Sequence, residues 1–308
     1  MDSLYGKKMN RLPITAVLIV LLLAALACAQ NNIEHLKLIK ALPIEYEEQV
    51  EPSGLTKLNG TLFTISDDHD IIFKIHLKED RAVLEPYIEL DLPKTKKVRK
   101  YDFEGITVDE DGDFYLASET TFRILKVGAN GKDFSWITPS LKSFGRQKGL
   151  FKNNKANFEG ITYIGKNTFI LCAERESRGF IQVNIEKIPD EVQVIVNESS
   201  AHDWPETQDF DYTGLHYTDH SLYVLERGAG TICEITLQQD RVIEKSVWSY
   251  AKIENSKELQ YKSMKYGRGE GLFIDENIIY VILDNNGDPR KYDSSDKRPL
   301  LLIMERPK

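Results

Sequence analysis

The sequence predicts an all-β protein, a five-bladed β-propeller with four antiparallel strands per blade. The first observation is a Gly with an apolar residue after it, which recurs five times and follows Glu in three of the copies. The copies are Ser53-Gly54-Leu55-Thr56, Glu104-Gly105-Ile106-Thr107, Glu159-Gly160-Ile161-Thr162, Thr213-Gly214-Leu215-His216 and Glu270-Gly271-Leu272-Phe273. They are about 50 to 57 residues apart. This period is typical of one supersecondary unit repeated in a closed array or a solenoid.

Within a repeat, the pattern is that of short antiparallel strands separated by turns. In the first repeat the segments 54–57, 61–66, 71–77 and 83–90 are rich in β-branched and aromatic residues, which favour strands. Asn59-Gly60 and Asp111-Gly112 supply the positive φ angles that tight hairpins need. Each repeat is therefore interpreted as one four-stranded blade.

The last repeat is one strand short. After segments 271–274, 278–283 and 300–305 the sequence ends, so residues 34–43 near the N-terminus are predicted to supply the fourth strand. Such a closure hides a sheet edge that would otherwise be exposed. Residues 33–308 are therefore predicted to form a single propeller domain.

A second series of acids follows the first at a nearly fixed offset, each at the end of the next apolar run. Its members are Asp67, Glu119, Glu174, Glu226 and Asp284. Since successive strands of a meander run antiparallel, the start of the first strand and the end of the second lie on the same side of the blade. Both series are therefore expected to surround one mouth of the central channel.

The first series is a candidate metal site. Ser53, Glu104, Glu159, Thr213 and Glu270 offer only oxygen ligands, which suit a hard cation such as Ca²⁺ better than Zn²⁺. Like charges this close would raise one another's pKa unless a cation or a proton intervened. The alternative is structural, with the acids capping strand starts by accepting backbone N–H groups of the neighbouring blade.

The formal net charge of −8 argues against a nucleic-acid partner. The loops before three of the Glu-Gly copies are nevertheless basic, with Lys and Arg clustered in 94–100, 142–155 and 257–268. A cationic rim above carboxylates suits a metal-bound anion, although these loops are equally well explained as solvated surface. Arg175 and Arg227 directly follow second-series acids, where they could hold an anionic substrate or pair with those acids.

Residues 1–28 are predicted to be a secretory signal, because a basic start precedes an apolar stretch over 14–27. Ala25-Leu26-Ala27-Cys28 resembles a bacterial lipobox, which would lipidate Cys28; cleavage after Ala27 or Ala29 is the alternative. The protein is then exported to the periplasm or the outer membrane and touches the membrane only through this anchor. Cys172 and Cys233 could pair, or each could be a small buried hydrophobe.

Two resemblances follow from these residues. Glu-Gly-Ile-Thr, an Asp-Gly turn and Phe-Tyr-Leu-Ala-Ser-Glu in 104–119, with Ser-Gly-Leu-Thr and Ile-Ser-Asp-Asp in 53–68, resemble the SdiA-regulated and phytase-esterase-like bacterial exported β-propellers. The ordered set of Ser53, Glu104, Glu159, Thr213 and Glu270 is similar to that of the calcium-activated nucleotidases (apyrases). The second resemblance implies one axial Ca²⁺, with Thr213 standing where that family has Ser.

Two functions remain in competition. In the first, a monomeric Ca²⁺-dependent hydrolase acts on phosphate esters or other small anionic esters, with Glu119 or Glu174 accepting the proton of the attacking water. Substrate contacts are then assigned to Asp67, Arg175, Glu226, Arg227 and Asp284. In the second, a non-catalytic propeller binds a ligand or protein of the cell envelope.

Overall fold

The computed structural model describes residues 33–96, 98–153, 156–175, 177–200, 202, 210–264 and 267–308. The predicted signal over 1–28 and the lipidation of Cys28 lie outside these residues and stay predictions. Lys97, Lys155 and Lys265 of the basic loops lie outside them as well. In the described part of the chain, no helix has the length and apolar character needed to cross a membrane.

The all-β class is confirmed, with the strands of the described residues arranged in four sheets. The N-terminal strands are β1 (Ile33–His35) and β2 (Leu38–Glu45). The first repeat forms β3 (Pro52–Leu58), β4 (Thr61–Ser66), β5 (Ile71–Leu77) and β6 (Ala82–Glu89). The second forms β7 (Phe103–Val108), β8 (Phe114–Ser118), β9 (Arg123–Val127) and β10 (Phe134–Trp136).

The remaining repeats follow the same plan with two short helices inserted. Helix α1 (Lys142–Lys148) precedes β11 (Phe158–Tyr163), β12 (Thr168–Ala173), β13 (Gly179–Asn184) and β14 (Val192–Val196). Next come β15 (Tyr212–Thr218), β16 (Ser221–Glu226), β17 (Thr231–Gln238), β18 (Arg241–Ser249) and α2 (Ala251–Glu254). The described chain ends with β19 (Gly269–Ile274), β20 (Ile278–Leu283) and β21 (Leu300–Glu305).

The N-terminal segment completes the last repeat, as predicted, but with shifted bounds. Strand β2 pairs antiparallel with β21 and also parallel with β6, over Ile44 and Glu45. The second pairing joins two four-stranded units into one sheet in the order β19-β20-β21-β2-β6-β5-β4-β3. Residues 33–35 instead pair parallel with β18, so the segment connects more units than the sequence predicts.

The repeated glycines lie where the first strands of neighbouring repeats approach most closely. Strands β3, β7, β11, β15 and β19 contact one another in cyclic order. A Cβ on Gly105 would lie 2.7 Å from the carbonyl oxygen of Glu159, and one on Gly271 would lie 2.7 Å from the carbonyl carbon of Gly54. Only Gly allows such an approach of two backbones. The repeated Gly is therefore needed for the contact between neighbouring inner strands and also marks where each of these strands starts.

A β-bulge accompanies the glycine in the first strand of every repeat. Glu104, Thr213 and Glu270 are themselves the extra residues, because their neighbours on either side pair with consecutive residues of the next strand. A bulge turns a side chain out of the regular alternation. The bulges thus give these side chains an orientation that a regular strand would not.

In the part of the chain that the structure describes, five buried apolar clusters hold the strands together. In one of them Phe63 and Ile65 of β4 join Phe114 and Leu116 of β8, so the cluster spans neighbouring sheets. Cys172 and Cys233 are free thiols buried within one such cluster, which fits the prediction of small buried hydrophobes.

Candidate functional site

The first-series glutamates interact electrostatically at one end of the ring of inner strands, which we call the axial mouth. Burial raises the pKa of Glu104 and of Glu159 well above the usual range; Glu104 adds to the rise at Glu159, and Glu270 adds to the rise at both. Burial likewise raises the pKa of Glu270 to about 7, against the lowering effect of Arg227. The three carboxyl groups thus share one poorly solvated region, as the sequence predicts.

The two hydroxyl members of the first series already have partners. Ser53 Oγ donates to Glu104 Oε2 over 2.8 Å, and Thr213 Oγ1 donates to the carbonyl oxygen of Gly269 over 2.7 Å. Each hydroxyl oxygen keeps lone pairs for a cation. The role of these residues as metal ligands stays a prediction.

A backbone hydrogen bond repeats in all five units and defines the second series. The amide N–H of Asp67, Glu119, Glu174, Arg227 and Asp284 donates in turn to the carbonyl oxygen of Glu51, Asp102, Asn157, Asp211 and Arg268. The fourth position is therefore occupied by Arg227 rather than Glu226. The second series consists of four acids and one arginine.

Glu226 lies one residue out of this register and faces away from the axial mouth. Its side chain is fully buried and accepts hydrogen bonds from Arg178 Nη1 and from the backbone N–H of Asp211. A shift of one residue along a strand moves a side chain to the opposite face. The structure therefore gives Glu226 a place in the core, and the predicted substrate contact has no support from its position.

Arg227 supplies a positive charge inside the axial mouth. Its guanidinium donates to Glu270 and, from Nε, to Asp211 Oδ2 over 3.1 Å, and its Nη2 lies 3.9 Å from Glu174 Oε2. The side chain is 13% exposed. Of the two alternatives for Arg227, pairing with acids is the one observed.

Three carboxylates converge beside Arg227. Ligand oxygens of Glu119, Glu159 and Glu174 lie within 4.8 Å of one another. Asn157 connects two of them, because its backbone N–H donates to Glu174 Oε1 over 3.3 Å and its Nδ2 donates to Glu119 Oε1 over 2.6 Å. Glu174 Oε2 accepts no hydrogen bond from the described residues, although Arg175 Nη2 lies 3.0 Å away. We call this group the glutamate triad.

Glu119 and Glu174, the two triad members that directly follow a strand, also have a raised pKa. Burial raises the pKa of Glu174 to about 8, with Asp211 adding to the effect and Arg175 opposing it. The pKa of Glu119 rises to about 7, first through burial and then through the neighbouring Asp102 carboxyl group. Near neutral pH each group can therefore exist with or without its proton.

A second acidic group, which we call the Asp67 group, contains Asp67, Asp102 and Glu104. Their ligand oxygens also lie within 4.8 Å of one another. Lys100 neutralises part of it, since its Nζ lies 3.1 Å from Asp102 and 3.6 Å from Asp67. Burial nevertheless raises the pKa of Asp67 to about 7. Among the described residues, no such group unites Glu104, Glu159 and Glu270.

The remaining predicted site residues lie near this region. Asp284 is 7% exposed, accepts the backbone N–H of Asn286 over 2.9 Å, and has a pKa raised to about 7 by burial. Arg175 is 35% exposed, with Nη1 3.3 Å from Asp211 Oδ2. Of the basic loops, Lys94 pairs with Asp70 at 2.8 Å, so part of the predicted rim is already neutralised.

Sequence reasoning missed a third series two residues before the first: Glu51, Asp102, Asn157, Asp211 and Arg268. Glu51 and Asp102 each form an acidic group with Asp67. Asn157 donates to Glu174, and Asp211 accepts from Arg175. Arg268 lines a cavity together with Arg175 and Arg227. The signal was available as a fixed offset of two residues from the first series. The polar character at this position, though not its charge, repeats in all five copies.

A family match covers most of the chain. The phytase-like family, described as having the esterase-like activity of phytase, matches residues 51–287. No curated protein gives a significant match. The phytase-esterase-like part of the predicted resemblance is thus confirmed, whereas the SdiA-regulated and nucleotidase parts stay predictions.

Solved structures show the same fold at low identity. Glutaminyl cyclase of Myxococcus xanthus has a TM-score of 0.54 and 11% identity, over 90% of this chain and 100% of that chain. Virginiamycin B lyase from Staphylococcus aureus has a TM-score of 0.50 and 12% identity, over 87% of this chain and 99% of that chain. These similarities support a propeller-type architecture and leave the function to the site itself.

Proposed function

Because the chain belongs to the phytase-like family, we propose that it is a β-propeller hydrolase that cleaves an ester bond at the axial mouth. Propellers host many activities, so the fold alone cannot carry this proposal. The observation that carries it is the glutamate triad of Glu119, Glu159 and Glu174, converging within 4.8 Å beside two arginines. Buried acids with shifted pKa values are typical of functional sites.

Glu159 and Glu174 of the triad fit a hard divalent cation, and we propose Ca²⁺. Both offer carboxylate oxygens, the kind of ligand that Ca²⁺ prefers, and Glu174 Oε2 accepts no hydrogen bond from the described residues although Arg175 Nη2 lies 3.0 Å away. Glu159 and Glu174 are 7% and 2% exposed, so their charges are poorly solvated without a counter-ion. Bound there, Ca²⁺ would act as a Lewis acid toward the ester.

Glu119 is the proposed proton acceptor. It is less buried than Glu159 and Glu174, so water can reach it, and burial and the Asp102 carboxyl group raise its pKa, which makes a carboxylate a better proton acceptor. The hydrogen bond from Asn157 fixes one of its oxygens at 2.6 Å. Glu174, the other predicted base, is held more tightly by Arg175 and Asn157 and is assigned to the cation.

The sheet order also supports five blades. The eight-stranded sheet is read as two blades joined through the parallel pair of β2 and β6, and the inner strands form a ring of five. Export and lipidation remain proposals that rest on residues 1–28.

The test combines Ca²⁺ titration calorimetry with an ester-hydrolysis assay on matched Glu→Gln variants. Glu159→Gln should lose Ca²⁺ binding and turnover together. Glu119→Gln should keep Ca²⁺ binding and lose turnover by about 10² or more, the usual contribution of a general base. Glu191→Gln, which changes an exposed acid paired with Lys187, is the control.

Two outcomes would contradict the proposal. If turnover persists in Glu119→Gln, Glu119 is not the proton acceptor. No Ca²⁺ binding in the wild type, with Glu159→Gln only less stable, would make the acids structural and favour a non-catalytic binding propeller.

A further inference from the structure

A cavity of about 400 Å³ opens beside the axial mouth. It shares Arg175, Arg227 and Glu270 with the mouth, and adds Arg268. We propose that this cavity, which we call the arginine cavity, binds an oxyanion of the substrate, a carboxylate or a phosphate, that is separate from the ester being cleaved. This inference rests on the proposed function and names the class of its substrate.

Arg268 presents a fixed guanidinium to the cavity. The residue is 7% exposed. Its Nε donates to the carbonyl oxygen of Ser263 over 2.9 Å, and its Nη2 donates to Asp288 Oδ2 over 2.6 Å. Its Nη1 makes no hydrogen bond with any residue of the described chain. A guanidinium held in place with a donor to spare is suited to binding an oxyanion.

Further donors line the same cavity. Arg175 uses Nη1 and Nη2 toward Asp211 and Glu174, whereas its Nε has no partner among the residues that the structure describes. Ser263 and Asn286, both exposed, line the same cavity. An oxyanion accepts several hydrogen bonds at once, so these groups could hold it together.

The charge of the cavity differs from that of the rest of the mouth. Its two acids are already committed, Glu270 to Arg227 and Asp288 to Arg268. Among the described residues, three guanidiniums and two carboxylates line the cavity. Asp211 and Glu174, which also pair with Arg175 and Arg227, do not line it, and the glutamate triad and the Asp67 group carry an excess of acids. An anion approaching the mouth therefore meets guanidinium donors in the cavity and an excess of carboxylates around it.

The position links this subsite to the proposed reaction. Arg175 contacts Glu174 of the triad and also lines the cavity. A substrate with its anion against Arg175 and Arg268 would present a neighbouring ester to the triad. The preferred substrate is therefore an ester that carries a second, anionic group.

The test compares two p-nitrophenyl esters of similar size, the anionic hemisuccinate and the neutral butyrate. Wild type should have the lower KM for the hemisuccinate. Arg268→Gln and, separately, Arg175→Gln should raise that KM about tenfold or more, as expected for a lost charge-assisted hydrogen bond. Arg268→Gln should leave the KM for butyrate unchanged, whereas Arg175→Gln also removes a contact of Glu174 and is judged by the ratio of its two KM values. Arg81→Gln, an exposed arginine paired with Glu45 and Asp80, is the control.

Binding of inorganic phosphate and of succinate, followed by calorimetry without substrate, separates this inference from the hydrolase proposal. If neither ester is cleaved but one of these anions binds, and both arginine variants weaken that binding, the subsite stands and the hydrolase proposal fails. The anion that binds wild type more tightly identifies the class of oxyanion, phosphate or carboxylate. The subsite is overturned if neither anion binds wild type, or if the variants affect both esters equally or neither.

Discussion

Replacing Gly105 by Ala tests whether the repeated glycines exist because neighbouring inner strands nearly touch. The backbone of Gly105 adopts a conformation open to any residue, so strain in φ plays no part. The added Cβ would lie 2.7 Å from the carbonyl oxygen of Glu159 and 2.8 Å from the backbone nitrogen of Ile161. Both neighbours are backbone atoms that cannot rotate away, so the strands themselves must separate.

The expected cost follows from these contacts. Overpacking a well-packed site costs about 1 to 3 kcal/mol, and two backbone contacts below 3.0 Å place Gly105→Ala at the upper end. The lower entropy of the unfolded Ala chain returns about 0.4 to 1 kcal/mol. The net loss is about 2 to 3 kcal/mol, which lowers Tm by about 3 to 6 °C for a domain of this size.

The assay is thermal and urea unfolding of Gly105→Ala beside Gly128→Ala. Gly128 also has an ordinary φ, but its Cβ would approach only side-chain and backbone atoms of Asn130 and Asp133 at 3.3 Å or more. Gly128→Ala should change stability by less than about 1 kcal/mol. Equal effects of the two substitutions would refute the explanation of the motif.

Three further predictions follow. Leu42→Ala should destabilise by about 2 to 5 kcal/mol in urea unfolding, because Leu42 is a core residue of the closing strand β2, whereas exposed Ile39→Ala should have little effect; similar losses would argue against closure by β2. Glu226→Ala should lower stability by about 3 kcal/mol or more, by leaving buried Arg178 unpaired, without changing the KM of any ester; a raised KM would return Glu226 to the substrate site. Burial raises the pKa of the mouth acids and of Glu254, so the folded state binds more protons than the unfolded state between about pH 4 and 8. Tm should therefore fall as pH rises through that range. Ca²⁺ should restore Tm at pH 8, and Glu254→Gln should flatten the fall; a Tm independent of pH would contradict the raised pKa values.

The repeat in the sequence was enough to predict the strands and the closing segment because both depend on local pattern. Alternating apolar residues and turn dipeptides specify strands wherever they occur. The pairing of residues 33–35 with β18 and of β2 with β6 was missed, since three-residue and two-residue pairings leave no pattern to detect. The N-terminal bounds therefore shifted even though the partner strand was right.

The misplaced site residue, Glu226, shows the limit of a motif. Leu-Glu at the end of β16 resembles Ser-Glu and Ala-Glu at the ends of β8 and β12, where the Glu directly follows the strand. Only the backbone hydrogen bond from Arg227 to Asp211 shows that the fourth repeat is displaced by one residue. Since side chains alternate along a strand, this one-residue difference separates a buried ion pair from the axial mouth.

By itself the sequence determined the all-β class, the repeating strands and the gathering of acids at one end of the ring, because periodicity, turn chemistry and alternation act along the chain. The tertiary structure decided which charges meet. It placed Arg227 among the acids, gave Lys100 to the Asp67 group, and joined Glu119, Glu159 and Glu174 from different strands. Such distances depend on how neighbouring blades pack around the axis, and no single strand carries that information.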